Sequence, residues 1–182
     1  MIRIMDFIIA FLGLIFLWPI FLVVIIIGTF DTGYPIFVQE RVGRNKKPFK
    51  LIKFRTMTVE TKSVASHLAN SASITKLGAF LRKTKIDELP QLINVVKGDM
   101  SLVGPRPNLY NQEGLIKERC SLGVYDVLPG LTGLAQVQNI DMSTPQLLAQ
   151  TDKTMIDSLT VKSYFKYILK TIIGGGSGDG IK

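Results

Sequence analysis

Two adjacent carboxylates, Asp87 and Glu88, stand among cations: Arg82, Lys83 and Lys85 precede them, and Arg106 follows between two prolines. That grouping suits chemistry on a polyanion with a metal ion. The cations bind the anion while a carboxylate oxygen attacks it or holds the metal. The stretch 85–107, KIDELPQLINVVKGDMSLVGPRP, also carries its own start and stop signals. Asp87 reads as a helix N-cap and Glu88 as a first-turn residue, and Pro90 is tolerated where its missing N–H needs no partner. Leu89, Leu92, Ile93 and Val96 recur at helical spacing and are expected to face a core, and Gly98 ends the helix as a left-handed residue. The helix start then aims backbone N–H groups and a positive dipole end at Asp87, a place for phosphate. Asp-Glu-Leu-Pro by itself is equally a plain helix start, so its meaning depends on the elements around it.

The first of those elements is apolar. Residues 7–30, FIIAFLGLIFLWPIFLVVIIIGTF, carry no charge between Asp6 and Asp31, long enough for a membrane helix. The run is too long for a cleaved signal peptide and no small-x-small site follows it. Pro19 in its middle must kink or break the helix, so two readings stay open: a kinked span, or a turn at Trp18-Pro19 back to the starting leaflet. The basic flank after the run places the main domain on the cytoplasmic side.

The 182 residues allow this anchor, 1–33, plus one domain, 34–173, with a Gly-rich flexible tail at 174–182. A net charge of +8 together with 47% hydrophobic residues points to anionic lipid rather than nucleic acid, and no DNA- or RNA-reading motif is present. The single Cys120 excludes an internal disulfide and reads as a buried or inert thiol. The lone His67, in a polar loop without a second His or Cys near it, does not support zinc.

Residues 36–42 and 49–54 alternate as two strands around a Gly43-Arg44-Asn45 turn. Most of their cations read as a lipid-facing surface, but Lys53 and Arg55 fall on polar strand positions leading toward the acidic pair. Ser73 is expected to cap a helix to about Lys85, bringing Arg82 close to Asp87. Residues 108–128 read as a mixed, mostly helical segment, 129–137 as a turn and short apolar strand, and 140–159 as helix. The helix at 163–173 sets Lys162, Lys166 and Lys170 against Tyr164, Phe165, Ile168, Leu169 and Ile172; it either lies in the membrane interface or packs on the core. The fold class expected is α+β: a membrane helix, a short β-hairpin or sheet, and several helices with amphipathic faces.

The order of an apolar segment with a central proline, QERVGRNKKPFKLIKFRTM, KIDELPQLINVVKGDMSLVGPRP and PGLTGLAQV resembles the bacterial sugar transferases known as monotopic phosphoglycosyl transferases. The resemblance covers residues 1–137. It implies an enzyme of the bacterial inner membrane, its catalytic domain on the cytoplasmic face and its apolar segment re-entrant with both ends cytosolic. The implied reaction moves a sugar phosphate from a nucleotide diphosphate sugar, with uridine the expected base, to polyprenol (undecaprenyl) phosphate, initiating surface glycan or glycoprotein synthesis. In the resemblance Asp87 is the nucleophile and a ligand of a required Mg2+. Glu88 supports the metal or handles a proton, and Arg82 and Arg106 bind phosphate or nucleotide; Lys53 and Arg55, from their strand positions, are candidates for the same task. A second copy of the chain is a candidate partner.

The chemistry of the residues agrees. Displacement at a diphosphate builds charge on phosphoryl oxygens, which cations stabilise. Adjacent residues project about 100° apart on a helix, which sets Asp87 and Glu88 to different tasks and argues against a glycosidase, whose carboxylates flank one bond. The chain departs from the family pattern at Trp18, where Ser is usual, at Leu134 for Trp, at Gln138-Asn139 for Asn-Gly, and at Leu128 for a cation. The last three lie where the sugar is expected to be discriminated. A membrane-tethered metal phosphohydrolase and a non-catalytic basic adaptor are the alternatives from the residues.

Overall fold

The structure, a computed structural model, describes residues 1–59 and 73–173. His67 and the tail at 174–182 lie outside the described residues. The expected α+β class is what is found: helices around two small two-stranded sheets, with a long apolar helix first.

That helix, α1 (Ile2–Thr32), is continuous through Pro19 and ends on left-handed Gly33. Pro19 therefore does not divide the segment into two helices, which corrects the expected break. Trp18 and Pro19 both face outward. A narrow stripe faces the body, with Asp6, Ala10, Val24 and Gly28 buried along it, while Phe7, Phe11, Phe16, Leu22 and Ile26 on the other side are exposed. The stripe keeps the 3.6-residue helical period on both sides of the proline.

Both ends of α1 are tied to the body. Near the start, Arg3 donates to the carbonyls of Val95 (2.7 Å) and Met100 (3.1 Å). Asp6 is buried and accepts from the Ser101 hydroxyl (2.8 Å), the Leu102 amide (2.9 Å) and the Tyr164 hydroxyl (2.8 Å). Burial pushes the Tyr164 phenol up, and the Asp6 carboxylate reinforces the shift, so Tyr164 stays a donor. At the far end Thr75 Oγ1 donates to Asp31 Oδ2 at 2.6 Å.

The hairpin falls where alternation predicts it. Strands β1 (Ile36–Val42) and β2 (Pro48–Phe54) are antiparallel, with Ile36 opposite Phe54 and Val42 opposite Pro48. The turn between them takes positive φ at Asn45 and Lys46. Helix α2 (Lys76–Thr84) is capped by Thr75, whose Oγ1 accepts from the Gly78 amide, and not by Ser73. Lys85 then takes a left-handed conformation, φ 59°, and a single 3₁₀ turn, Ile86–Glu88, carries the acidic pair.

Helix α3 (Gln91–Lys97) begins after that turn, with Pro90 at its N-cap position. Asp87 is therefore not its cap, contrary to expectation, and the phosphate site expected at a helix start under Asp87 is not formed. Gly98 does close the helix in the left-handed region, φ 97°. The buried face is rotated from the expected one: Leu92 is buried, but so are Asn94 and Val95, while Leu89, Ile93 and Val96 are half-buried. Asn94 explains the rotation. Its Oδ1 accepts from the Ile52 amide (3.1 Å) and its Nδ2 donates to the Lys50 carbonyl (2.8 Å), fixing α3 against β2.

Strands β3 (Ser101–Val103) and β4 (Gly130–Thr132) pair in parallel. Between them lie α4 (Glu113–Ser121), on which Cys120 is exposed rather than buried, and a 3₁₀ turn at Val124–Asp126. The short α5 (Leu134–Val137) and α6 (Pro145–Ser158) follow. Helix α7 (Val161–Ile172) has a Thr160–Ser163 capping box. It packs on the core through Tyr164 and Tyr167, while Phe165, Leu169 and Ile172 stay exposed. The main core gathers Ala10 of α1, Leu51, Leu92, Val95, Met100, Leu102, Met155, Tyr164 and Tyr167.

Removing the Asp6 carboxylate strands three buried donors, the Ser101 hydroxyl, the Leu102 amide and the Tyr164 hydroxyl. A buried donor without an acceptor costs about 1–3 kcal/mol. Asp6→Ala is therefore expected to destabilise by roughly 3 kcal/mol, and Tyr164→Phe by about 1 kcal/mol. Denaturant unfolding in detergent micelles checks both; equal, small losses would show that α1 is held by apolar packing alone.

Candidate active site

The 3₁₀ turn at Ile86–Glu88 faces the turn Gly104-Pro105-Arg106-Pro107, and a salt bridge joins them: Arg106 donates to Glu88 Oε1 at 2.6 Å. Local sequence sets up both sides. Left-handed Lys85 ends α2 and redirects the chain into the acidic turn. On the other side, the Gly104 amide donates to the Thr132 carbonyl and the Gly130 amide to the Pro105 carbonyl, both at 2.8 Å. The two backbones approach so closely that a Cβ on Gly130 would lie 2.0 Å from the Gly104 nitrogen. Glycine is required there by space.

Beside the salt bridge opens a shallow polar cleft lined by Arg41, Leu51, Lys53, Glu88, Gln91, Arg106, Pro107 and Gly130. Three cations around one carboxylate leave it net positive, the environment a diphosphate needs. Arg41 and Lys53 reach it from the same hairpin face, because Phe37 stands opposite Lys53, Gln39 opposite Leu51 and Arg41 opposite Phe49. Arg41 is held by Gln39 Oε1 (2.6 Å) and the Pro107 carbonyl (3.1 Å).

The structure thus brings Lys53, Glu88 and Arg106 together. Asp87 is next to Glu88 in the turn but only 3% exposed, and it is not among the residues lining the cleft. Arg82 lies in the last turn of α2, where its Nε donates to Thr56 Oγ1 at 2.9 Å. Arg55 is not brought to the cleft: its Nε donates to the Tyr34 carbonyl (2.8 Å) and its guanidinium lies 5.3 Å from the centre of the Phe37 ring. Trp18 and Pro19 are on the outward face of α1 and take no part.

Two cleft residues escape a reading of the sequence. Arg41 looks like one more cation in a lipid-facing run. Its signal is parity, since it shares a strand face with Gln39, and both are buried. Gln91 is buried at the first position of α3. Lys85 belongs beside them. Its Nζ donates to the Thr171 carbonyl at the end of α7 (3.2 Å), and burial pulls its pKa down from the ordinary 10.5. The Glu88 charge opposes that shift and Arg106 adds to it.

Among the described residues no group of three or more His, Cys, Asp or Glu forms a metal cage. The donor set suits a hard ion shared with a substrate: two adjacent carboxylates, of which Glu88 has one oxygen committed to Arg106.

Comparison with known proteins gives this geometry a context. A family model described as bacterial sugar transferase matches residues 1–175. An uncharacterized sugar transferase of Haemophilus influenzae is 40% identical over 162 residues, covering 78% of this chain and 34% of that protein. A putative undecaprenyl-phosphate N-acetylgalactosaminyl 1-phosphate transferase of Bacillus subtilis is 46% identical over 108 residues, 58% of this chain and 60% of its own length. A UDP-glucose:undecaprenyl-phosphate glucose-1-phosphate transferase of Klebsiella pneumoniae is 37% identical over 183 residues, 95% of this chain and 39% of its own. The chain thus spans between 34% and 60% of the length of these relatives.

The lowered pKa of Lys85 has a sign that stability measurements can read. Between that pKa and 10.5 the folded state has released the proton while the unfolded state still holds it, so folding strengthens as pH rises through this window. Arginine at the same place stays charged. The stability of the wild type relative to Lys85→Arg is expected to grow with pH up to 10.5. Denaturant unfolding across alkaline pH checks it, and a flat difference would refute it.

Proposed function

The chain belongs to the bacterial sugar transferase family, and on that premise we propose that it transfers a sugar phosphate from a nucleotide diphosphate sugar to undecaprenyl phosphate. The observation that carries this reading is the convergence of Arg41, Lys53 and Arg106 on one cleft with Glu88, next to Asp87. Three cations against the Glu88 carboxylate leave two net positive charges, which match the two negative charges of the diphosphate in such a donor. The names of the B. subtilis and K. pneumoniae relatives support undecaprenyl phosphate as acceptor, and the latter supports a uridine diphosphate donor.

In the proposed mechanism Arg41, Lys53 and Arg106 bind the diphosphate and neutralise charge on its oxygens as it is displaced. An Asp87 carboxylate oxygen attacks the phosphorus that bears the sugar. A bond from that oxygen to phosphorus forms, and the bond to the nucleoside monophosphate breaks, with the electron pair leaving on the monophosphate. An oxygen of the lipid phosphate then attacks the same phosphorus and the aspartyl–phosphorus bond breaks, restoring the carboxylate. Splitting the transfer in this way replaces one difficult step by two easier ones. Glu88 orients Arg106 through their 2.6 Å contact, a different task from that of Asp87.

Asp87 would be the protein ligand of a magnesium ion, a hard cation that suits carboxylate oxygens. When bound it supplies Lewis-acid neutralisation of the phosphoryl oxygens.

The two ties at opposite ends of α1, Asp6 on β3 and α7 and Asp31 on Thr75, support a re-entrant helix with both ends on the cytoplasmic side. The exposed Phe165, Leu169 and Ile172 of α7, with its lysines, support contact with anionic lipid at the inner membrane.

The test incubates the purified chain with Mg2+ and a uridine diphosphate sugar, with and without undecaprenyl phosphate. Uridine monophosphate release coupled to lipid-linked sugar is expected, along with a phosphosugar adduct when lipid is omitted. Free sugar phosphate without lipid would mean a hydrolase, and no turnover a non-catalytic chain. Asp87→Asn is expected to abolish the adduct, and peptide mass mapping to place it on Asp87. An adduct on Glu88, the carboxylate that lines the cleft, would reassign the nucleophile.

A further inference from the structure

Arg106 sits between two prolines, and neither Pro105 nor Pro107 has an N–H with which to anchor the turn. The segment is held by its carbonyls instead, four in succession. The Pro105 carbonyl accepts from the Gly130 amide (2.8 Å), that of Arg106 from Arg119 Nη1 (2.8 Å), that of Pro107 from Arg41 Nη1 (3.1 Å), and that of Asn108 from the Val42 amide (3.0 Å). Of these four donors Gly130 and Arg41 belong to the cleft, Val42 is a backbone amide of β1, and Arg119 is a side chain that reaches the turn from outside the cleft.

Arg119 is on α4, 1% exposed, and its charge is met by Asp152 of α6, 0% exposed. Nε and Nη2 both donate to Asp152 Oδ2, at 3.0 and 2.6 Å. Nη1 is thereby turned toward the Arg106 carbonyl and, at 2.9 Å, Asn108 Oδ1, which also accepts from the Tyr125 hydroxyl at 2.9 Å. A buried ion pair seldom adds net stability over an apolar pair of the same size, because two charges must leave water. Burial indeed pushes the Asp152 carboxyl up, against the pull of Arg119. What the pair does supply is direction: a planar guanidinium whose three nitrogens all make hydrogen bonds fixes the atom it points at. That atom is the backbone oxygen of the residue whose side chain holds Glu88.

We propose that the buried Arg119–Asp152 pair is a positioning device for Arg106, clamping its backbone from behind so that its guanidinium stays on the cleft beside Glu88. The kinetic consequence rests on the transfer reaction proposed above; the structural one does not. Arg119 and Asp152 touch no substrate and act only through the Arg106 turn.

The experiment compares wild type, Arg119→Lys, Asp152→Asn, Arg106→Ala and the double variant Arg106→Ala/Arg119→Lys, all as the full chain in lipid nanodiscs. Because misplacing a binding group costs rate out of proportion to its distance from the chemistry, Arg119→Lys is expected to lower kcat about tenfold or more with the donor KM nearly unchanged. In the Arg106→Ala background the same change should cost less than about twofold, since its route of action is gone. An equal loss in both backgrounds would overturn the proposal and leave the pair a plain core element.

Amide hydrogen exchange supplies the arm that needs no activity. Arg119→Lys should speed exchange in peptides covering residues 101–110 while leaving α1 and α7 unchanged; a rise spread over the whole chain would overturn the clamp. If the Arg119 and Asp152 variants do not fold, Tyr125→Phe, which removes only the second donor to Asn108 Oδ1, should show the same local pattern at smaller amplitude, and no local change would count against the proposal. Should wild type transfer nothing while the exchange pattern is local, the clamp stands and the proposed reaction falls.

Discussion

Two glycines that leave no room for a side chain underlie the site. Gly104 follows β3 and Gly130 begins β4, and a Cβ built on Gly130 would fall 2.0 Å from the Gly104 nitrogen. Because both are glycine, the chains close to 2.8 Å hydrogen bonds on either side of the contact, and the Pro-Arg-Pro turn emerges directly opposite the acidic 3₁₀ turn. Any larger residue would separate the strands and carry Arg106 away from Glu88. The electrostatics of the cleft follow from this steric allowance, since a 2.6 Å ion pair tolerates little displacement.

A parallel pair of three-residue strands cannot hold itself; parallel ladders usually occur in larger sheets covered on both faces. Here buried polar side chains do what further strands would do. Asp6 satisfies the Leu102 amide and the Ser101 hydroxyl on β3, and Asn94 bridges α3 to β2 through both ends of its amide. Such groups are costly in an interior unless every bond is made, and when made they admit few alternative arrangements. Arg119 fixes its neighbours in the same way, although Asp152 Oδ1 is buried with no hydrogen-bond partner. Apolar packing in the main core gives this domain its bulk stability, while the buried polar bonds decide which residues meet.

The parts of the fold legible in the sequence are those with a local cause. The hairpin has a two-residue period and a turn, α1 an uninterrupted apolar run, and α3 a stop at Gly98, whose φ of 97° few other residues adopt. The β3–β4 pair has no such cause: its strands are too short to alternate, and their partners lie beyond a helix and a turn. The acidic pair was legible by residue type, yet which carboxylate meets the cleft depends on Lys85 taking a left-handed conformation. That shifts the start of α3 to Gln91 and leaves the pair in a tighter turn. Asp6 reads as a flank of the apolar run and turns out to be an internal ligand of the body, because its three donors come from residues remote in sequence.

That placement of Asp6 bears on how the long helix meets a bilayer. Thirty-one helical residues reach about 46 Å at 1.5 Å per residue, more than the roughly 30 Å of a hydrocarbon core. Were α1 to span it, Asp6 and Asp31 would stand on opposite sides, and so would their partners: Ser101 and Tyr164 with one, Thr75 with the other. Those partners belong to one body, joined through α3 and the hairpin, so spanning would draw buried salt bridges and a charged cleft into lipid. Lying along the body, α1 leaves Phe7, Phe11, Phe16, Leu22 and Ile26 exposed on its outward face and keeps its polar ends bonded. The proline does not need to break the helix for this. Pro19 faces outward, and the stripe on the body continues at Phe21, Val24 and Gly28, so one helix serves as a wall of the domain while its other face stays apolar and exposed.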